Sequence, residues 1–333
     1  MIELAAGEYG SFAGGKKPAI VTLRARRGAA VSIAVALDEA SNLRFERLTL
    51  TSAKLTRSIG IQFAGNLFTG PALIDTTSRD GDHAIVFERN RHEGIDVCPA
   101  CYEGRLTVHG DESNTRPVGV TIRNSFFGRG GNSDGILVGA YGVRIVGNEF
   151  AGIHQGDPDG VHTDAIQLYG QSHTLIRGNY LHGVATGIMA GDHADHELIE
   201  DNVIVTEGYP WGIVLGGDNG SIVRGNTLPD GACNWNTRCG QLRIGKGNVG
   251  ASHGTLVRDN ILGALQVDTG STLAGEDHNL IAHGGIRGAG DLSGVPNFAG
   301  GPTPSTWAGF ALTGPLGRRG ASDGSDIGAP VRR

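Results

Sequence analysis

Apolar and polar residues alternate in short runs along most of this chain, and one such run recurs five times between residues 132 and 262. In its first half the apolar residues lie two positions apart, as at Ile166 and Leu168. This is the period of a strand with one buried face. The second half ends each time in an asparagine, at Asn148, Asn179, Asn202, Asn226 and Asn260. A strand-rich unit that returns every 23 to 34 residues indicates the stacked coils of a solenoid.

Glycine punctuates nearly every connection between these strands. The chain has 56 Gly and 12 Pro, a composition that disfavours long helices. Two or three strands per coil, with Gly or Asn at the corners, describe a parallel β-helix. We therefore predict an all-β solenoid.

Three of the repeats, GILVGAYGVRIVGNEF, AIQLYGQSHTLIRGNYL and GIVLGGDNGSIVRGNTL, resemble those of right-handed parallel β-helix proteins of the pectate-lyase-like superfamily. The resemblance covers roughly residues 40–300. It implies a single-stranded right-handed parallel β-helix with an irregular C-terminal capping segment. It also implies a secreted carbohydrate-active protein, since many members are polysaccharide lyases, C5-epimerases, glycoside hydrolases or phage depolymerases. Because one fold hosts many chemistries, the activity must be argued from the site.

The continuous repeat predicts one elongated domain over residues 1–333. Within it, residues 1–117 form the first, less regular coils. Residues 118–265 form the regular coils, which carry the predicted groove, and residues 266–333 form the last coils and the C-terminal cap. The apolar content of 39% is ample for a narrow core.

The net charge of −6 gives no basic footprint for nucleic acid or anionic membranes. No apolar run approaches the length of a transmembrane helix, about 18 residues. The expected partner is therefore a polysaccharide or oligosaccharide substrate. Met1-Ile-Glu-Leu enters strand-like sequence at once and shows no signal peptide. We expect a mature form of a secreted or periplasmic protein.

The four cysteines form two local pairs, Cys98 with Cys101 and Cys233 with Cys239. Each pair lies in a connection rich in Gly, Asn or Pro, where a short disulfide could fix a loop that leaves the coil. The alternative is a four-thiolate zinc site, which requires two loops distant in sequence to meet. We predict two disulfides.

Polar and ionisable residues collect along the first strand of the repeat and in its long connections. Such a rim suits a groove about four coils long, or on the order of 15–20 Å. The candidates are Asp157, Asp159, His162, Asp164, Gln167, Tyr169, Asp192, His193, Asp195, His196, Tyr209, Trp211, Arg243 and Lys246.

A lyase or epimerase acting on a uronate must neutralise a carboxylate and remove the proton at C5. We assign His162 or His193 as the base and Tyr169 as the proton donor. Arg243 or Lys246 would face the carboxylate. Gln167, Asp192, Tyr209 and Trp211 are assigned to substrate binding. Asp157-Pro158-Asp159 is similar to the Asp-Pro-His signature of mannuronan C5-epimerases, but has Asp159 where that signature has His.

Calcium is the predicted cofactor, because aspartates in adjacent coils offer hard oxygen ligands. The candidate ligands are Asp157, Asp159 and Asp195. Zinc held by His193 and His196 is less favoured, because their spacing suits a helix and they lie in a loop.

Two other functions stay open. A glycoside hydrolase or transglycosylase would use a pair of carboxylates, with Asp164 as the catalytic candidate and Asp134 or Asp192 as its partner. A non-catalytic polysaccharide-binding β-helix would need a stripe of exposed aromatic side chains. A lyase yields an unsaturated product, a hydrolase yields reducing ends without it, and a binder yields neither.

Overall fold

The computed structural model describes residues 1–78, 80–96, 104–111, 113–154, 163–170, 172–193, 195–234, 237–245, 249–285 and 287–331. The protein is a parallel β-helix, as predicted, and its strands pair in parallel from coil to coil. Two compact units are distinguished, Met1–Gln167 and Leu168–Arg333, so the single domain stays a prediction. In the part of the chain that is described, no helix is long and apolar enough to cross a membrane.

The first unit has three strand-bearing faces. Its first face contains β1 (Ile2–Leu4), β3 (Val21–Ala25), β5 (Ser41–Glu46), β7 (Ile59–Ala64), β10 (Ile85–Glu88), β13 (Val120–Arg123) and β16 (Arg144–Val146). Its second face contains β8 (Leu67–Phe68), β11 (Arg91–Glu93), β14 (Phe126–Gly128) and β17 (Glu149–Ile153). Its third face contains β9 (Ala72–Asp75), β12 (Gly104–His109), β15 (Asp134–Gly139) and β18 (Asp164–Tyr169), in which the division between the units falls. Three longer strands continue from the second face into the third, β2 (Gly7–Phe12), β4 (Val31–Asp38) and β6 (Thr49–Thr56).

The second unit repeats this arrangement. Its first face contains β19 (Leu175–Arg177), β22 (Leu198–Glu200), β25 (Ile222–Arg224), β28 (Thr255–Arg258) and β30 (Leu273–Asp277). Its second face contains β20 (Tyr180–Val184), β23 (Val203–Thr206), β26 (Thr227–Leu228), β31 (Leu280–His283) and β32 (Leu292–Ser293). Its third face contains β21 (Thr186–Asp192), β24 (Trp211–Gly216) and β27 (Gln241–Gly245). Strand β29 (Ile261–Val267) pairs with both β26 and β27 and so joins these two faces.

Aromatic side chains stack through the core of the first unit. On the second face, His92 lies between the rings of Phe68 and Phe127, with centroids 4.2 and 4.5 Å away. His92 is fully buried, and neither ring nitrogen has a hydrogen bond to a described residue. Burial, with the nearby charge of Arg105, lowers the pKa of His92 to about 3. The ring is therefore neutral at physiological pH and packs as one more aromatic layer.

A ladder of buried asparagines marks the corner between the first and second faces of the second unit. Each Oδ1 accepts from the backbone and side-chain N–H groups of the asparagine one coil earlier, at 2.9–3.0 Å. The ladder runs through Asn179, Asn202, Asn226, Asn260 and Asn279. The stacked asparagines predicted from the repeat are confirmed for this unit.

The irregular C-terminal segment packs along the second face of the second unit. It contains one short 3-10 helix, Trp307–Phe310, capped by the Thr306 side chain. Phe298, Phe310 and Ile327 form a buried cluster with the outward-facing Val203 and Ile261 of the sheet. The Ala329 N–H also donates to the Thr227 hydroxyl at 3.0 Å. This segment therefore covers one face of the solenoid along its side.

Candidate functional site

The third face of the second unit has no described strand residue in the cluster that the C-terminal segment forms with the sheet. The C-terminal segment covers the second face, and ion pairs of Glu200 with Arg177 and Arg224 cross the first. The outward residues of the third face form a row across the strands, in which Met189, Val214 and Arg243 are half-buried and Gln266 is exposed. An uncovered face with a known register is where an extended ligand can lie across several coils.

Glycines keep this face flat beside that row. Gly216 pairs with Gly245, and Gly191 follows Ala190 in the neighbouring strand. A Cβ at Gly191 would meet no atom within 4 Å. Gly216 and Gly245 are buried, and a Cβ at Gly245 would meet Oδ2 of Asp268 at 3.0 Å. Of these three glycines, Gly191 is therefore the one at which a ligand can approach the backbone closely.

His193 lies at the edge of this face, one residue beyond β21. Its backbone N–H donates to the Gly216 carbonyl at 3.3 Å, and its Nδ1 lies 3.1 Å from the Gly217 carbonyl oxygen. A carbonyl oxygen only accepts, so Nδ1 carries the hydrogen and Nε2 of the neutral ring keeps a lone pair. The side chain is exposed, and Nε2 makes no hydrogen bond to a described residue. This arrangement suits a general base.

Two aspartates flank His193 along the chain. The carbonyl of Asp192 accepts from the Gly170 N–H at 2.6 Å, which brings Tyr169 to the coil next to His193. Both Tyr169 and Asp192 are half-buried. Asp195 holds a buried Oδ1 without a hydrogen bond to any described residue.

Of the three predicted calcium ligands, Asp195 alone lies in the described part of the chain. Asp157 and Asp159 lie outside the described residues. Within the described part of the chain, no group of three or more His, Cys, Asp or Glu residues is arranged to hold a metal ion. The orphaned Oδ1 of Asp195 is compatible with a cation, but it is a single ligand.

Arg243 lies on the open face but is ion-paired. Its Nε and Nη2 donate to Oδ2 of Asp268 at 3.1 and 2.6 Å. The pair reduces the positive charge that Arg243 could offer to a substrate carboxylate. Lys246 and His162, the other predicted cation and base, lie outside the described residues.

Tyr209 and Trp211 form an aromatic pair at the opposite end of β24 from His193. Their rings lie 5.5 Å apart with planes within 5° of each other, and both are half-buried. Gln167 is half-buried as well, and is the last residue of the first unit.

Asp164 lies inside the first unit. It is fully buried, and its N–H donates to the Asp134 carboxylate at 2.7 Å. Asp134 is itself only 5% exposed. The two aspartates stack at the starts of β15 and β18, as the repeat alignment suggests. This packing explains the presence of both residues by structure.

A buried acidic network beneath the corner between the third and first faces was not predicted. Glu197 accepts from the Thr174 N–H at 2.5 Å, and its Oε1 has no hydrogen bond to a described residue. Asp218 accepts from the hydroxyls of Ser221 and Thr255. Burial raises the pKa of Glu197 well above its ordinary value and also raises the pKa of Asp218.

Glu197 begins the aligned repeat ELIEDN, and its column also holds Thr174, Ser221 and Thr255, so the hydroxyl side chains of that column were the available signal. Asp218 lies three residues before Ser221, outside that column, and no aligned repeat position pointed to it.

The predicted disulfide between Cys233 and Cys239 is confirmed, with Cα atoms 5.2 Å apart. It closes a loop next to Tyr209, since the Asn234 N–H donates to the Gly208 carbonyl at 3.2 Å. Cys98 and Cys101 lie outside the described residues.

Known structures share this fold at low sequence identity. A variant of the PL6-family alginate lyase AlyGC superposes with a TM-score of 0.61 and 13% identity, over 98% of this chain and 54% of AlyGC. Pectate lyase Pel9A superposes with a TM-score of 0.50 and 13% identity, over 100% of this chain and 88% of its own. The A-module of mannuronan C-5 epimerase AlgE4 of Azotobacter vinelandii gives a TM-score of 0.44 and 14% identity, over 88% of each chain. This chain thus spans about half the length of AlyGC.

No protein-family model and no curated protein matches the sequence. The predicted resemblance to pectate-lyase-like β-helix proteins is confirmed at the level of the fold.

Proposed function

We propose that the protein is a carbohydrate-active enzyme that removes the C5 proton of a uronate in a polysaccharide. The reaction would end in β-elimination or in C5 epimerisation. One observation carries the proposal. His193 is exposed at the edge of the third face, beside the open backbone of Gly191, with Nδ1 bound to the Gly217 carbonyl and Nε2 available as a base.

In this proposal Nε2 of His193 takes the C5 proton. For elimination, the electrons of the C5–H bond form the C4–C5 double bond while the C4–O bond breaks, and Tyr169 gives a proton to the departing oxygen. For epimerisation, a proton returns to C5 from the opposite side of the ring. Both outcomes share the first step, so His193 would be required for either.

Neutralising the substrate carboxylate is the second requirement. Arg243 is placed on the face for it, although Asp268 offsets its charge. Calcium remains a proposal, with Asp157, Asp159 and Asp195 as the candidate ligands. The structural neighbours include lyases whose names specify alginate and pectate, which supports testing these two polymers first.

The test is to incubate the protein with alginate and with polygalacturonate, with added calcium or with EDTA, and to follow ultraviolet absorbance. A rise would show the unsaturated uronate of β-elimination, and its loss in EDTA would support a metal. With no rise, proton exchange at C5 in deuterated water would test epimerisation. Neither signal on any uronate polymer would reject the proposal.

A non-catalytic polysaccharide binder is the second candidate. It is favoured by the Arg243–Asp268 ion pair, which leaves the face short of free positive charge. It predicts retention of the protein by a polymer without any product.

A further inference from the structure

A break in strand register moves Trp211 out of the core. In β24, Ile213 and Leu215 are fully buried. Trp211 lies opposite Gln241 and Ile213 lies opposite Leu242, so two steps on one strand face a single step on the other. This β-bulge changes the alternation, and Trp211 is half-buried where a regular strand would bury it with Ile213.

Tyr209 and Trp211 are stacked and both are half-buried, so one face of each ring is turned to the other ring and the opposite face is the one that a ligand can use. The ring planes differ by only 5°, with centroids 5.5 Å apart. An aromatic face with polar edges is suited to the C–H face of a pyranose ring, whose hydroxyls stay at the rim. Trp211 begins β24 and Gly216, which accepts from the His193 N–H, ends it. At about 3.3 Å per residue the pair lies roughly 16 Å from the base, a distance that spans several sugar rings.

The loop closed by Cys233–Cys239, described at residues 229–234 and 237–240, is tied to the backbone that carries this pair. The Asn234 N–H donates to the Gly208 carbonyl at 3.2 Å, and the Gln241 N–H donates to the Pro210 carbonyl at 2.9 Å. Cys239 is only 3% exposed. The backbone of residues 208–210 is therefore tied to both ends of the disulfide loop.

An ion-pair cluster fastens the same loop from its outer side. Both Nε and Nη2 of Arg238 donate to Asp230, and His283 lies 3.1 Å from Asp230 Oδ2. Arg238 keeps the pKa of Asp230 low against the opposing effect of burial, so the carboxylate stays charged.

We propose that Cys233 and Cys239 are positioning residues, whose disulfide holds Tyr209 and Trp211 as a preformed stacking subsite for a pyranose ring. The subsite rests on the proposed function in its choice of ligand, a polysaccharide chain lying across the third face. Without the disulfide the loop gains conformational freedom, and ordering the two rings on binding costs affinity. The chemical step at His193 does not involve the loop.

The test is affinity electrophoresis in gels that contain alginate, polygalacturonate or hydroxyethylcellulose, which measures binding without turnover. Trp211→Ala should raise the Kd for the polymer that retards the wild type about tenfold. The Cys233→Ser/Cys239→Ser variant should weaken binding by a similar factor. Adding Trp211→Ala to that variant should cause little further loss. On any polymer that is converted, KM should rise while kcat stays unchanged.

The matched control is Tyr9→Ala, which removes a 42% exposed aromatic ring from the first unit and should bind like the wild type. Arg238→Ala keeps the disulfide but breaks the Asp230 pair. It provides a milder variant, with a two- to threefold loss expected, if the cysteine variant does not fold.

Wild-type affinity in the cysteine and Arg238 variants would overturn the positioning role. Wild-type affinity in Trp211→Ala, or no retardation of the wild type by any polymer, would overturn the subsite. Retardation without product would reject the enzyme proposal and leave this inference standing.

Discussion

Two corners of the second unit use buried polar side chains in opposite ways. At the corner between the first and second faces, each asparagine of the ladder gives and receives hydrogen bonds in the same pattern, coil after coil. At the corner between the third and first faces, the same repeat position holds Thr174, Glu197, Ser221 and Thr255. There Glu197 keeps a buried oxygen without a hydrogen bond to a described residue.

The two corners also differ at their surface. The third-to-first corner is lined with histidines in the left-handed region, including His193 at φ 59° and His196 at φ 57°. His196 stacks on His173 with ring centroids 5.0 Å apart. A corner that repeats strictly is explained by stability alone. The other corner departs from the repeat and contains a buried carboxylate oxygen without a hydrogen bond to a described residue and histidines in the left-handed region. Such energetically unfavourable features are expected at functional sites.

Breaking the asparagine ladder should have the largest effect on stability. Asn202→Ala removes an Oδ1 that accepts twice from Asn179, and an Nδ2 that donates to Ile176 and Asn226. At about 1 kcal/mol for each hydrogen bond, with buried groups left unpaired, we expect a loss of roughly 3–5 kcal/mol in the free energy of unfolding. Urea denaturation measures it.

The control is Asn297→Ala, at an exposed asparagine whose change should cost less than about 0.5 kcal/mol. A loss of under about 1 kcal/mol for Asn202→Ala would contradict the structural account of the ladder.

Replacing Glu197, whose Oε1 has no hydrogen bond to a described residue, should have a smaller, stabilising effect that depends on pH. The folded-state pKa of Glu197 is raised by burial. As pH rises above the ordinary carboxyl pKa, the unfolded chain loses this proton while the folded protein keeps it. Stability is therefore lost with rising pH, at about 1.4 kcal/mol per unit until the folded-state pKa is reached.

Glu197→Gln should remove this loss. The stability of the variant relative to the wild type should therefore increase from pH 5 to pH 8, as measured by thermal or urea unfolding. Glu207→Gln, at an exposed glutamate of the same unit, should stay within about 0.5 kcal/mol of the wild type. An equal pH dependence in Glu197→Gln and the wild type would show that Glu197 is not the group responsible.

Substitutions of His196, whose backbone lies in the left-handed region, should change the free energy of unfolding the least. Gly220 and Gly254 take the same position in the next two coils, with φ of 81° and 74°. His196→Gly relieves the backbone but loses the stacking on His173, so we expect a change within about 1 kcal/mol. His196→Ala keeps the strain and should be less stable than His196→Gly by about 1 kcal/mol. The opposite order would show that the backbone conformation is not strained.

The repeat pattern was enough to predict the strands, the asparagine ladder and the outward row of Met189, Val214 and Arg243. Each of these follows from alternation within one strand and from stacking of equal positions. The partner of Arg243 was missed because Asp268 lies beyond the last aligned repeat.

The burial of Asp164 and Glu197 was missed for a different reason. Both lie where a strand meets a corner, and the turn there, rather than the alternation, decides which side chains point inward. The bulge before Ile213, which exposes Trp211, is a further case. A single alignment of strands contains no information on these local breaks.

The most direct test of the functional role of the third face is to compare His193→Ala with His253→Ala on the polymer that the wild type converts. Both histidines are exposed at the same corner, but His253 directs Nδ1 to the Thr272 hydroxyl, 3.2 Å away, and takes no part in the proposed chemistry. We predict that His193→Ala lowers kcat about 10²- to 10⁴-fold, while His253→Ala stays near the wild type. Activity of His193→Ala within a few-fold of the wild type would contradict the assignment of the site.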